Sequence, residues 1–181
     1  MSSSFSFSLA GTDLITDRLV LRPWSDDEIA AVVDGGRLAH WADDFPAEGD
    51  RVIAGFVAEQ PDARNEYGQR QVVERESGLV VGAVGLFWPP AEEALEFGYG
   101  IVPSRRGRGY APEAARAIVA FAFTAPGVHE VYANVELSNP ASVRVLEKAR
   151  LRRRNGDGQV VRFDAVRPDT RPDEASDLSR R

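Results

Sequence analysis

The chain has 181 residues, a formal net charge of −6 and a hydrophobic share of 43%, which suits one globular domain with a core of its own. This acidic balance does not favour binding to nucleic acid or to an anionic membrane, whereas a protonated amine would be attracted. Cysteine is absent, which excludes disulfides, cysteine-ligated metals and a covalent cysteinyl intermediate.

Both ends of the chain are predicted to be flexible tails, because residues 1–12 and 167–181 hold too few apolar groups to offset the entropy of ordering. Residues 13–166 are then expected to form a single domain. The first ten residues lack the basic start and apolar block of a signal peptide, and no segment reaches the roughly 20 apolar residues of a membrane span. We therefore expect a cytoplasmic location and no membrane partner.

The domain is predicted to begin with one strand and two helices. Alternating apolar residues over 13–24 indicate the strand. Ser25 and Glu28 have the spacing of a capping box, which predicts a helix through about residue 34. A second helix is predicted over residues 47–59.

Three strands are predicted next, over residues 69–76, 79–88 and 95–102. The gap between the first two, Ser77-Gly78, is short enough for a tight hairpin. The three strands most simply make an antiparallel meander.

The remaining elements alternate between helix and strand. Apolar spacing predicts helices over residues 110–125 and 140–150, and strands over 130–137 and 159–166. The fold class is therefore mixed α+β.

The loop over residues 102–113 carries the strongest functional signal, because it joins a strand directly to the N-terminus of a largely apolar helix. The first turn of a helix has free N–H groups and a partial positive charge, and Gly107, Gly109 and Ala111 would let an anion approach closely. Glycines here could also serve only the turn. A Walker-type phosphate loop and a dinucleotide fingerprint are both absent.

This loop contains Arg106-Gly107-Arg108-Gly109-Tyr110-Ala111, which resembles the Arg/Gln-x-x-Gly-x-Gly/Ala signature of the GNAT acyltransferase superfamily. Three other segments, residues 14–22, 95–103 and 138–148, resemble the branch that contains the ribosomal-protein alanine acetyltransferases. The resemblance covers roughly residues 13–151.

The resemblance implies the GNAT fold, a central, mostly antiparallel twisted sheet of six to seven strands with about four helices, splayed at the acyl-CoA site. It places the pyrophosphate of acyl-CoA on the amides of residues 106–111 and the pantetheine beside residues 99–101. The arginines suit the CoA phosphates; nucleic-acid binding is the rival reading of this basic cluster. The residues expected to bind the cofactor are Tyr99, Gly100, Ile101, Arg105, Arg106, Gly107, Arg108, Gly109, Tyr110, Ala111 and Asn139.

Two residues are the catalytic candidates. Glu96, in a segment resembling the family's Glu-x-Gly-Tyr, is expected to accept the amine proton, unless it is an ordinary edge carboxylate. Ser142 is expected to contact the CoA sulfur by resemblance, unless it merely caps its helix. Leu146 stands where many members carry a general-acid tyrosine, and Asn134 where some carry a glutamate base.

The expected function is direct transfer of an acyl group, most simply acetyl, from acyl-CoA to a primary amine of a protein N-terminus or a small molecule. No metal is expected, because the two histidines have no ligand-like spacing. The alternative is a non-catalytic acyl-CoA-binding module, and a homodimer is an open alternative to a monomer. After Lys148 the usual Gly-Phe pair is missing, so the final hairpin is expected to be short or altered.

Overall fold

The computed structural model describes residues 8–10, 12–154, 156 and 158–168. Residues 1–7 and 169–181, most of the two predicted tails, lie outside the described residues. The strands are β1 Ser8–Ala10, β2 Asp13–Ile15, β3 Leu19–Pro23, β4 Gln69–Glu74, β5 Val80–Leu86, β6 Ala94–Ile101, β7 Glu130–Glu136, β8 Arg152–Arg153 and β9 Val160–Val166. The helices are α1 Asp26–Val33, α2 Glu48–Glu59, α3 Tyr110–Ala122 and α4 Pro140–Lys148.

The strands form one sheet in the order β1-β2-β3-β4-β5-β6-β7-β9-β8. All neighbours are antiparallel except β6 and β7, which are parallel. The predicted meander of β4, β5 and β6 is confirmed, as is the α+β class.

The described residues contain more strands than the six to seven expected. The predicted strand over residues 13–24 is divided into β2 and β3 by a turn, in which the Thr16 amide donates to the Leu19 carbonyl at 2.9 Å. The short strand β1 falls within the segment predicted as a tail. The final hairpin is short on one side, since β8 has two residues.

The helix starts follow the capping chemistry of the sequence. Ser25 caps α1: its hydroxyl accepts from the Glu28 amide, and the Glu28 carboxylate accepts in return from the Ser25 amide. Asp50 does the equivalent for α2 by accepting from the Ala47 amide at 2.9 Å. Gly109 precedes α3 with a left-handed φ of 81°, a conformation that costs an L-residue about 1–2 kcal/mol.

The core lies between the sheet and its helices, and α3 is its most buried helix. Ala114, Ile118 and Ala122 of α3 are completely buried, and the helix packs on β5 and β6. The loop between β6 and α3 is therefore held at both ends by buried elements, and local rearrangement of either end would cost core packing.

Candidate functional site

The sheet opens between β6 and β7. These strands pair only over three positions, Ala94 to Glu96 against Glu130 to Tyr132. Beyond them β6 stays with β5 as far as Ile101, whereas β7 follows β9. The last part of β6 consequently has a strand edge that faces the gap, and such an edge can pair with an extended ligand.

The loop after β6 presents backbone N–H groups beside this gap. Gly107 and Gly109 have left-handed φ angles of 76° and 81°, which suit glycine. Within the described part of the chain, no acceptor is found for the amides of residues 107–111. Five such donors at the positive end of α3 have the chemistry that anions prefer.

A cavity of about 470 Å³ occupies the space between the β6 edge, this loop and α4. It has the size of a small-molecule site. Its lining residues are Tyr99, Gly100, Ile101, Arg105, Arg106, Gly107, Gly109, Tyr110, Ala111, Pro112, Asn139, Ala141, Ser142, Arg144, Val145 and Lys148. The structure thus brings together the predicted cofactor residues, apart from Arg108, and adds Arg144 and Lys148 of α4, which sequence reasoning missed.

Glu74 of β4 contacts the loop and holds the Arg108 side chain outside the cavity. Its carboxylate accepts from the Tyr110 hydroxyl at 2.8 Å and pairs with Arg105 at 3.3 Å and Arg108 at 3.6 Å. Burial raises the pKa of Glu74, but the hydrogen bonds from Ser77 and Tyr110 and the charge of Arg105 outweigh it, so that the pKa is lowered. Arg108 is therefore engaged beneath the loop, outside the cavity lining.

Arg18 holds the same loop from the β2–β3 turn. Its guanidinium donates to the Arg108 carbonyl at 2.7 Å, pairs with Glu113 of α3 at 2.7 Å and lies 4.8 Å from the centre of the Tyr110 ring. Thr16 donates a further hydrogen bond to Glu113 at 2.7 Å. Sequence reasoning missed these roles, although Thr16 and Arg18 belong to the opening segment that carried part of the resemblance.

At α4 the structure places Asn139, Ser142 and Tyr99 together. Asn139 is the N-cap, because its side-chain oxygen accepts from the Ser142 amide at 3.1 Å. The Ser142 hydroxyl has no partner among the described residues, so it is available to a ligand. The Tyr99 hydroxyl donates to the Ser142 carbonyl at 3.3 Å, and burial raises the pKa of Tyr99. Leu146 is fully buried in the core.

Glu96 lies on the other face of the sheet. A Cβ added to Gly98 would lie 3.2 Å from the Phe87 ring, and Phe87 contacts Phe56 of α2. Because side chains alternate along a strand, Glu96 and Gly98 face α2 while Tyr99 faces α4. Glu96 is half-buried and does not line the cavity.

Two tryptophans and one histidine outside the cavity contact other side chains of the domain. Trp41 packs edge-on to Phe45 at 5.2 Å, and Trp88 stacks on Tyr67 at 5.1 Å. His40 lies 2.9 Å from Glu28. Among residues the structure describes, no cluster of three or more metal-ligating side chains is found, and no helix is long and apolar enough to span a membrane.

Fold and site together define a class of protein: an α+β domain whose sheet splits beside a helix start with free backbone N–H groups. This arrangement suits an extended, phosphorylated ligand. The profile of the family described as Acetyltransferase (GNAT) domain matches residues 18–152. The chain belongs to this GNAT acetyltransferase family, which confirms the resemblance.

The sequence similarity to an individual relative is limited to part of the chain. An uncharacterized N-acetyltransferase of Bacillus subtilis, YnaD, is 30% identical over 82 residues, which span 45% of this chain and 48% of the relative. The alignment thus covers about half the length of that curated relative.

Solved structures share the fold. A GNAT-family acetyltransferase from Bacillus anthracis superposes with a TM-score of 0.62 at 20% identity, covering 85% of this chain and 98% of the other. A Vibrio cholerae protein proposed to be a ribosomal-protein-serine acetyltransferase gives the same TM-score and identity, over 85% and 97% of the two chains. A dodecameric spermidine N-acetyltransferase from Vibrio cholerae gives 0.57 at 18% identity, over 83% and 95%.

Proposed function

We propose that the protein is an acyl-CoA-dependent N-acyltransferase that moves an acetyl group directly to a primary amine of a protein N-terminus or a small molecule. The observation that carries this proposal is the cavity of about 470 Å³. It is bounded along its side by the β6 edge and at one end by Gly107 and residues 109–111, whose backbone amides have no acceptor among the described residues. Acyl-CoA has the matching chemistry, since phosphates suit the amides and the amide-bearing pantetheine can pair like a strand.

The cations around the cavity would hold the cofactor's phosphates. Arg106, Arg144 and Lys148 line the wall with the loop amides, and guanidinium groups match phosphate oxygens in two-point contacts. Arg105 also lines it, although Glu74 already takes part of its charge. The acyl end would then lie along β6 toward the narrow end of the gap, where the strands begin to pair.

Glu96 and Ser142 take the two proton-transfer roles. The amine nitrogen attacks the thioester carbonyl and gives its proton to Glu96. The carbon–sulfur bond then breaks, and the Ser142 hydroxyl, which has no partner among the described residues, donates its proton to the leaving thiolate while solvent water supplies a proton to the Ser142 oxygen. General acid–base steps of this kind contribute about 10²- to 10⁴-fold each. With no cysteine in the chain, the acyl group passes without a cysteinyl intermediate.

The acceptor would approach from the α2 side, since Glu96 faces that side. The net charge of −6 favours encounter with a cationic amine, which loses its proton before attack. As part of the same proposal, we place the enzyme in the cytoplasm, as a monomer or a homodimer. Sedimentation analysis distinguishes these two states.

The proposal is tested by incubating the protein with acetyl-CoA and a panel of amines that includes N-terminal peptides and polyamines, while free thiol is followed. We expect at least one amine to accelerate thiol release, and Glu96→Gln to lower kcat about 100-fold with little change in the KM for acetyl-CoA. Glu136→Gln, an exposed change further along β7, is the matched control. Tight CoA binding without acceleration by any amine would instead support the non-catalytic module.

A further inference from the structure

Asn134 of β7 reaches across the narrow end of the gap to the proposed base. It lies two positions beyond Tyr132, the last β7 residue paired with β6. Its side-chain amide donates to Glu96 Oε1 at 3.3 Å. This hydrogen bond connects the two strands on the α2 face just past the point where their backbones cease to pair.

The other charged groups around Glu96 have partners of their own. Tyr132 is opposite Glu96 in the strand register, and Arg162 of β9 is opposite Asn134. The Arg162 guanidinium lies 3.5 Å from the centre of the Tyr132 ring and pairs with Glu130 at 2.6 Å. Arg162 is therefore paired with Glu130.

Asp164, which follows Arg162 on the same face of β9, also has ion-pair partners. Asp164 is 1% exposed and pairs with Arg154 and, at 3.5 Å, with Arg152 of the final hairpin. On the β5 side, the Phe87 amide donates only to the Glu96 backbone carbonyl. Within the described ranges, the Glu96 carboxylate thus has Asn134 as its side-chain donor, and Oε2 has no partner.

We infer that Asn134 is a positioning residue for acyl transfer, which holds the Glu96 carboxylate at the narrow end of the gap by Oε1 and leaves Oε2 to take the amine proton. The inference rests on the proposed function. A neutral amide suits this task, because it fixes the carboxylate without adding charge. A carboxylate at position 134 would repel the Glu96 carboxylate, and a cation there would make Glu96 a weaker base.

Two variants separate positioning from a merely structural role. Asn134→Asp keeps the size of the side chain but replaces the N–H donor by a second carboxylate at hydrogen-bonding distance, so the pair retains a proton to higher pH. We expect the acid limb of the kcat/KM profile to move upward by about one pH unit or more. Asn134→Ala removes the donor alone and should lower kcat roughly tenfold, with the KM for acetyl-CoA unchanged.

The experiment measures pH profiles of kcat/KM for the wild type, both Asn134 variants and the control Glu136→Gln, with one peptide amine and acetyl-CoA. The inference requires the upward displacement in Asn134→Asp and an unchanged profile in Glu136→Gln. If the wild type is active and the acid limb of its kcat/KM profile coincides with that of Asn134→Asp, this inference is overturned, whereas the proposed function still stands. A wild type that transfers to no amine contradicts both.

Discussion

Asp50 at the start of α2 gives a stability prediction with a definite sign. Its side chain is almost completely buried, at 4% exposure, and one oxygen accepts from the Ala47 amide at 2.9 Å. Burial raises the pKa of Asp50 from 3.8 to about 6, although the Ala47 hydrogen bond and the charges of Arg51 and Arg106 act in the opposite direction. The folded protein therefore binds this proton more tightly than the unfolded chain does.

The difference between 3.8 and about 6 corresponds to about 3 kcal/mol at 1.36 kcal/mol per pH unit. Because the folded-state pKa is the higher one, this stabilisation is complete below about pH 4 and is lost as the pH rises through 6. Asp50→Asn removes the ionisation but keeps an oxygen that can accept from Ala47. The variant should match the wild type near pH 4 and exceed its free energy of unfolding by up to about 3 kcal/mol at pH 7.5.

The assay is urea unfolding of wild type and Asp50→Asn at several pH values between 4 and 8, taken as the difference between the two proteins. Glu48→Gln, an exposed change in the same helical turn, controls for the loss of one negative charge. A difference that stays constant with pH, or an Asp50→Asn protein less stable than wild type at pH 7.5, would show that ionisation of Asp50 does not destabilise the fold.

Three further predictions concern the cofactor cavity and are measured by calorimetric titration with CoA. Gly109→Ala should weaken CoA binding more than Gly107→Ala. Both glycines have a positive φ, but only at Gly109 would the added Cβ lie 3.3 Å from Arg18 Nη2, whereas the space at Gly107 is open. Equal effects of the two substitutions on CoA affinity would contradict this. Arg18→Met should raise the Kd for CoA about tenfold, because the loop loses its bond to the β2–β3 turn; an unchanged Kd would show that the loop holds its shape without that bond. Tyr99→Phe, which loses the hydrogen bond to the Ser142 carbonyl, should cost about 1 kcal/mol, or fivefold in affinity for CoA. Unaltered affinity would show that this hydroxyl does not contribute to CoA binding.

The elements that the sequence predicts well are those whose signals are local. The capping residues Ser25 and Glu28 mark the start of α1, and the glycines at 107 and 109 mark the loop before α3. The β4–β6 meander follows from alternating strands separated by short turns. The family follows from the same loop, because a signature of closely spaced residues needs no tertiary information.

Contacts between segments that are distant along the chain could not be predicted from the sequence. Arg18 supports a loop about 90 positions away, and its bond to the Arg108 carbonyl has no local sequence signal. Asn134 and Glu96, 38 positions apart, meet only because β6 and β7 pair in parallel. The turn at Thr16 was missed for another reason, since the polar residues Thr16, Asp17 and Arg18 between Leu14 and Leu19 were included in one continuous strand.

Direct transfer from acyl-CoA to an amine can be followed by mass spectrometry with isotope-labelled acetyl-CoA and a mixture of primary amines. We expect the label to appear on an amine nitrogen only when the protein is present, with CoA released in equal amount and no labelled acetyl group left on the protein. Label that stays on acetyl-CoA while calorimetry shows CoA bound, or label that accumulates covalently on the protein before any amine is added, would contradict it.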